Sequence, residues 1–153
     1  FGGGQENNLR GGTQNYIGNE TLAVALQDFN DSASHLPDLK IKRTQFETKL
    51  KELYPAIVIF GQDTNRLAST TFLSYPGILS QSIQIELESH GILVTTSSAC
   101  SDNQQTISKV LSAMGVNESL GKGAIRVSLG PSSSPDYYDK ILDTLIRIFN
   151  KLK

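Results

Sequence analysis

The spacing of apolar positions predicts a polar opening segment followed by alternating helices and strands. Residues 1–15 are rich in Gly, Gln and Asn and show no apolar period, so we expect an extended loop there. A first helix is expected over about 19–28, and a second where Phe46, Leu50 and Leu53 recur at helical spacing. Pro55 is expected to end the second helix, and the apolar run at 56–60 predicts a buried strand.

The apolar pattern from residue 70 onward predicts a small sheet covered by helices. The apolar pattern predicts, in chain order, a strand at 70–74, a helix from 79 to Gly91, a strand at 92–94, a helix over 107–114, a strand at 124–129 and a last helix capped by Ser134. The fold class is therefore α/β, with a short sheet covered by helices and preceded by a loop and a helix. We place the end of one domain at 1–35 and a small α/β domain at 36–153.

Composition excludes several classes of function. The chain has 153 residues and a formal net charge of -1, without the basic stripe that binding to a nucleic acid requires. Its apolar runs are too short to span a bilayer, so no membrane partner is expected. A single cysteine cannot form an internal disulfide, which favours a cytoplasmic protein. His35 and His90 are isolated in sequence, so we expect no metal site.

Cys100 is the first candidate for chemistry. A lone cysteine is usually a small buried hydrophobe. The residues around Cys100 are mostly Ser, Thr, Asp and Asn, and they lack the apolar period that a core segment needs. This composition favours an exposed loop that carries a nucleophilic thiol.

Arg126 is the second candidate. It lies between Ile125 and Val127 on the predicted strand at 124–129, and Ser128 shares its face. The alternative is an ordinary surface arginine. If this face lines a cleft, the planar guanidinium can bind a carboxylate through two parallel hydrogen bonds.

The opening loop is the third candidate. Its glycines offer free backbone N–H groups, Arg10 offers a cation and Thr13 a hydroxyl, and together they could hold a phosphate where a helix begins. A flexible linker is the alternative. A nucleotide-binding P-loop is not supported, because the segment 115–123 has the wrong glycine spacing and no Ser or Thr after Lys122.

Three segments in order resemble the cysteine desulfurases of the class V aminotransferase fold type. Residues 2–6 (GGGQE) with 9–15 (LRGGTQN) resemble the family's opening motif, 98–101 (SACS) resemble its catalytic loop, and 124–130 (AIRVSLG) resemble a later strand. The similarity extends over nearly the whole chain and implies its place, the C-terminal portion of the enzyme. Ser97 departs from the family, which usually has glycine there.

The resemblance implies a reaction and its residues. The parent enzyme would be a pyridoxal-phosphate-dependent homodimer that converts L-cysteine to L-alanine, with Cys100 taking the sulfur as a persulfide. Arg126 would bind the substrate carboxylate, and Thr13 would contact the cofactor phosphate across the dimer interface. A sulfur-acceptor protein, such as a scaffold for iron–sulfur clusters, would be the partner.

The family's cofactor lysine has no counterpart here. That lysine lies in a Ser-x-His-Lys segment, whereas His35 and His90 are followed by Leu36 and Gly91. The chain alone is therefore expected to be inactive. Alternatives remain open: a selenocysteine lyase or another enzyme of this fold, or a non-catalytic docking or dimerisation module.

Overall fold

The computed structural model describes residues 2–96 and 107–152. The chain forms two compact units, the first ending at Ser34 and the second beginning at His35. In the first unit, a loop leads into helix α1 (Tyr16–Ser32), which begins where the Asn15 side chain accepts a hydrogen bond of 3.0 Å from the Gly18 backbone N–H. This helix is longer at both ends than the apolar pattern predicted, and none of its residues is buried.

The second unit is an α/β domain with a four-stranded sheet. After a 3₁₀ turn (Ala33–His35), its elements are α2 (Leu36–Leu53), β1 (Val58–Ile59), β2 (Thr70–Ser74), α3 (Ser80–Ser89), β3 (Thr95–Thr96), α4 (Lys109–Ala113), α5 (Glu118–Lys122), β4 (Ala124–Ser128) and α6 (Tyr137–Leu152). The strands lie in the order β1-β2-β4-β3, and each neighbouring pair is antiparallel. The predicted α/β fold class is confirmed.

The main core lies between one face of the sheet and helices α2, α3 and α6. Alternation along β4 directs Ile125 and Val127 into this core, where they pack with Leu73 of β2 and the apolar sides of the helices. The Tyr138 hydroxyl of α6 donates a hydrogen bond of 2.7 Å to the Ser69 carbonyl, and burial raises the pKa of this phenol. Helix α6 therefore fixes the segment that leads into β2.

Among the described residues, the opposite face of the sheet is covered at one end. Leu111 of α4 packs there with Phe60 and Ala124 in a second, smaller apolar cluster. At the same end the Ser74 hydroxyl donates a hydrogen bond of 2.7 Å to the Leu120 carbonyl of α5. The part of this face around Arg126 stays exposed.

Buried charges fix the loop that joins β1 to β2. Arg66 forms two hydrogen bonds of 2.9 and 2.8 Å to the carboxylate of Glu47 on α2, and both side chains are largely buried. Arg43 of α2 donates to the carbonyls of Leu67 and Thr70, each at 3.4 Å. These bonds hold the start of β2, which is the strand next to Arg126, in one register.

The structure corrects the predicted position of the strand at 92–94. Pairing with β4 occurs instead at Thr95–Thr96. Ile92 and Val94 are buried, but Leu93 is 83% exposed. The apolar run therefore marks residues that reach the core before the chain joins the sheet, and hydrophobicity alone did not show where the backbone pairing begins.

Other boundaries also differ from the sequence prediction. The apolar run at 56–60 contributes only the two residues of β1, and the helix expected over 107–114 shrinks to α4, where only Leu111 is buried. Helix α5 was not predicted, because five residues are too few to show a helical period. Helix α6 begins three residues after the expected cap, Ser134, whose hydroxyl accepts from the Asp136 N–H at 3.3 Å.

Every helix within residues 2–96 and 107–152 is too short or too polar to span a bilayer.

Candidate functional site

Arg126 occupies the middle of a row of three side chains across the sheet. Strand register places it directly opposite Phe72 of β2 on one side and Thr95 of β3 on the other. Residues that face each other in antiparallel strands project from the same side of the sheet, so the three side chains are neighbours. Within the described residues, the structure gives the Arg126 guanidinium no ion pair. No described residue therefore neutralises its charge, which is available to an incoming anion.

A shallow groove runs along the Arg126 side of β3 and β4. It has a volume of about 180 Å³, and it is lined by Leu93, Val94, Thr95, Arg126 and Ser128. Ser128 lies opposite Thr70 of β2, and the Thr70 hydroxyl donates to the Ser128 hydroxyl oxygen at 3.2 Å. The groove thus combines one cation with hydroxyl groups, a lining that suits a small carboxylate.

Phe72 borders Arg126 on the side away from this groove. Its ring packs on Phe60 with the ring centroids 5.1 Å apart. An aromatic neighbour excludes water from one side of the guanidinium, and an ion pair formed beside it is screened less than one in open solvent.

Cys100 lies outside the described residues, which break off after Thr96 and resume at Ile107. The chain enters this segment directly from β3, whose Thr95 is the cross-strand neighbour of Arg126.

Thr13 belongs to the first compact unit, where it is exposed in the loop before α1. The loop turns through three consecutive residues with positive φ, Glu6, Asn7 and Asn8, and the Leu9 N–H donates to the Glu6 carbonyl at 3.0 Å. Its ends meet so closely that a Cβ on Gly11 would lie 2.8 Å from the Gly2 Cα, which only glycine avoids.

The Arg10 guanidinium is used within its own loop. It donates to the carbonyls of Gly11 and Gly12, each at 3.2 Å, and to the Gln14 side chain at 2.7 Å. It also lies 3.9 Å from the Glu6 carboxylate. Arg10 therefore stabilises the loop conformation, and the Thr13 side chain is exposed, as are the other residues of the loop.

The histidines show no metal-binding arrangement. His90 bonds through Nδ1 to the Glu86 carbonyl at 2.8 Å, as a helix-end residue. Across the described residues, no cluster of three or more His, Cys, Asp or Glu side chains is close enough to hold a metal ion.

Comparison with known proteins finds relatives that match nearly the whole chain. No protein-family model matches it. A cysteine desulfurase of Dictyoglomus turgidum is 32% identical over 156 residues, which cover 99% of this chain and 39% of that protein. A cysteine desulfurase of Sinorhizobium fredii is 30% identical over 155 residues, covering 99% of this chain and 40% of the relative. The X-ray structure of a NifS-like protein from Rickettsia africae superposes with a TM-score of 0.77 at 30% identity, over 98% of this chain and 39% of that one.

The chain is homologous to the C-terminal part of the cysteine desulfurases. It spans about two fifths of the length of the curated relatives that it matches. The resemblance inferred from the three motifs is confirmed, and so is the α/β fold of the small domain. The desulfurases that it resembles depend on pyridoxal phosphate.

The structure adds neighbours to the candidate site at Arg126 that sequence analysis missed. Phe72, Thr95 and Thr70 become neighbours of Arg126 and Ser128 only through strand register. Ser128 was visible beforehand as a residue on the same face of a strand. Nothing in the sequence joined β2 to that face, because the two strands are separated by the whole segment from α3 to α5.

Proposed function

We propose that the full-length protein containing this chain is a pyridoxal-phosphate-dependent cysteine desulfurase that converts L-cysteine to L-alanine. The observation that carries the proposal is the exposed Arg126 in a hydroxyl-lined groove, beside the strand from which the chain enters the segment of Cys100. Homology along 99% of the chain supports it. The sulfur would pass to an acceptor protein that supplies iron–sulfur clusters or other sulfur-containing cofactors.

Arg126 is the carboxylate-binding residue in this proposal. A guanidinium offers two parallel N–H groups at the spacing of two carboxylate oxygens, so it fixes the orientation of the substrate as well as its position. An amino acid bound by its carboxylate at Arg126 would have its side chain free to approach Cys100.

Cys100 is the sulfur-accepting nucleophile. As the Cys100 Sγ forms a bond to the substrate sulfur, the bond between that sulfur and the substrate Cβ breaks. The electron pair of the broken bond stays with carbon, which takes up a proton to give alanine, and Cys100 is left as a persulfide. Pyridoxal phosphate, when bound, supplies the electron sink that makes this bond cleavage possible.

One residue of this chain is suited to contact that cofactor. The exposed Thr13 hydroxyl, placed just before the N-terminus of α1, suits a phosphate oxygen. The Arg10 guanidinium donates three hydrogen bonds within the loop, so its main role is to hold the loop in shape. The sequence holds no Ser-x-His-Lys segment. We therefore propose that the lysine and most of the cofactor pocket come from the remainder of the full-length dimer.

Removal of the Thr13 hydroxyl is expected to weaken cofactor binding in the full-length protein. For Thr13→Ala we expect a cofactor dissociation constant about tenfold higher, since a hydrogen bond to a charged phosphate is lost. Thr13→Ser retains the hydroxyl and should recover most of this affinity. The measurement is a titration of the apoprotein followed by visible absorbance.

Thr21→Ala is the matched control, because the Thr21 hydroxyl donates at 3.0 Å to the Gly18 carbonyl inside α1. Equal affinities for Thr13→Ala and wild type would remove Thr13 from the cofactor site.

The proposed reaction is tested by supplying L-cysteine to the full-length protein and measuring alanine and sulfide together. The two products should form in equal amounts in the presence of a reductant, while the 153-residue chain alone should form neither. L-Selenocysteine, measured in parallel, distinguishes a desulfurase from a selenocysteine lyase by the ratio of kcat/KM values. If alanine does not form from either substrate, the enzyme proposal fails.

A docking or dimerisation module is the second candidate function, and one observation favours it. Helix α1 buries none of its residues, although Tyr16, Ile17, Leu22 and Val24 are apolar and at least 59% exposed. An apolar helix of this kind generally contacts another surface. The same assay separates the two functions, because a module without catalysis yields no alanine.

A further inference from the structure

Ser128 is held in a defined orientation next to Arg126. The two residues lie two positions apart on β4, about 6.8 Å along the strand, and both are on the exposed face. Thr70 stands opposite Ser128 in the neighbouring strand and donates to its hydroxyl oxygen at 3.2 Å. Because Arg43 and the Arg66–Glu47 ion pair fix the start of β2, the Thr70 hydroxyl is itself well positioned.

The hydrogen bond between the two hydroxyls restricts where the Ser128 proton can point. A hydroxyl has one proton to donate and two acceptor lone pairs. When the Ser128 oxygen accepts from Thr70, its own O–H is free to point away from Thr70. Ser128 lines the same groove as Arg126. Its proton is therefore available to an acceptor that lies in this groove.

We infer that Ser128 is a second binding group for the carboxylate that Arg126 holds, and that Thr70 is the positioning residue for Ser128. This inference rests on the proposed function. A carboxylate has about four lone-pair sites, and a bidentate arginine fills two of them. The Ser128 O–H fills a third. Two groups on one strand then hold the carboxylate at two separate points, which restrains the substrate further than the arginine alone.

The test is steady-state kinetics of the full-length holoenzyme with L-cysteine. Ser128→Ala should raise KM about tenfold with kcat little changed, since a hydrogen bond to a charged group is lost in binding. Ser128→Thr keeps the hydroxyl and should recover most of that loss. Thr70→Val should raise KM about threefold, because an unoriented hydroxyl binds less well. Thr70→Val should add nothing in the Ser128→Ala background, since Thr70 acts only through Ser128.

A matched control separates this role from a general loss of structure. Ser112→Ala makes the same chemical change at an exposed serine of α4 that does not line the groove, and KM should stay at the wild-type value. If Ser128→Ala is unstable, the comparison of Thr70→Val with Thr70→Ser decides the question, because only the valine variant should raise KM.

Two failures are distinguishable. If Arg126→Ala raises KM while Ser128→Ala and Thr70→Val leave it unchanged, the inference is overturned and the proposed function stands. If wild-type protein forms no alanine from L-cysteine, the proposed function fails, and the carboxylate site at Ser128 fails with it.

Discussion

Replacement of Cys100 by serine in the full-length protein is expected to abolish sulfide and alanine formation, with a loss of about a thousandfold or more. The thiol of cysteine is a few per cent ionised at neutral pH and is intrinsically a strong nucleophile toward sulfur, whereas a serine hydroxyl stays protonated. Cys100 is also the only cysteine of the chain, so no neighbouring thiol of this chain can replace it.

Cofactor binding provides the internal control for this prediction. Cys100→Ser changes one atom and leaves Thr13 and Arg126 untouched, so the visible absorbance of bound pyridoxal phosphate should be the same as in wild type. Mass spectrometry of the wild-type protein after one turnover without reductant should show one added sulfur on Cys100, and the serine variant should show none. A serine variant with wild-type activity would show that another group accepts the sulfur, and the assignment of Cys100 would be wrong.

The elements that sequence reasoning located well are those whose pattern is set by a single buried face. Strand β4 alternates Ile125 and Val127 against Arg126 and Ser128, and the observed burial follows this alternation. β2 was predicted at its observed bounds, and Gly91, with φ of +71°, follows α3 as expected of a residue that ends a helix. In each case local chemistry and tertiary packing favour the same conformation.

Elements defined by long-range pairing were predicted poorly. β3 begins at Thr95 because that residue meets Arg126 across the sheet, while the more hydrophobic residues at 92–94 only pack on the core. Val110 of α4 and Met114, the residue that follows this helix, are 67% and 56% exposed, so their helical spacing did not mark a buried face. A hydrophobic pattern records which residues can be buried, but it does not record which partner strand pairs with them.

The residues of the candidate site also fall into two groups, those that the sequence pattern identified and those that only strand register identified. Arg126 and Ser128 were found together because they share a strand face, and this requires only the two-residue period of a strand. Thr70 and Phe72 precede them by more than 50 positions and become neighbours through register alone. Cross-strand neighbours of this kind decide how firmly a side chain is held, and sequence reasoning without register could not identify them.

Replacement of Arg126 by alanine in the full-length enzyme is expected to raise KM for L-cysteine about ten- to a hundredfold. A charge-assisted pair to the carboxylate contributes roughly 1.5–3 kcal/mol, and its loss appears in substrate binding. The effect should exceed that of removing the Ser128 hydroxyl, because two hydrogen bonds and a charge are lost together. Arg126→Lys should recover only part of the affinity, since a point charge replaces the two-pronged guanidinium.

The structure supplies a matched control for the Arg126 variants, and it indicates that these variants should fold normally. Arg147 of α6 is also exposed, and Arg147→Ala removes the same side chain from a different surface, so KM should not change. Arg126 makes no ion pair among the described residues and is exposed, so its removal should leave the thermal midpoint close to that of wild type.

Raising the ionic strength should weaken L-cysteine binding more in wild type than in Arg126→Ala, because only wild type retains the charge pair that salt screens. If KM, kcat and this salt dependence are all the same in Arg126→Ala and wild type, Arg126 is an ordinary surface residue and the carboxylate is bound elsewhere.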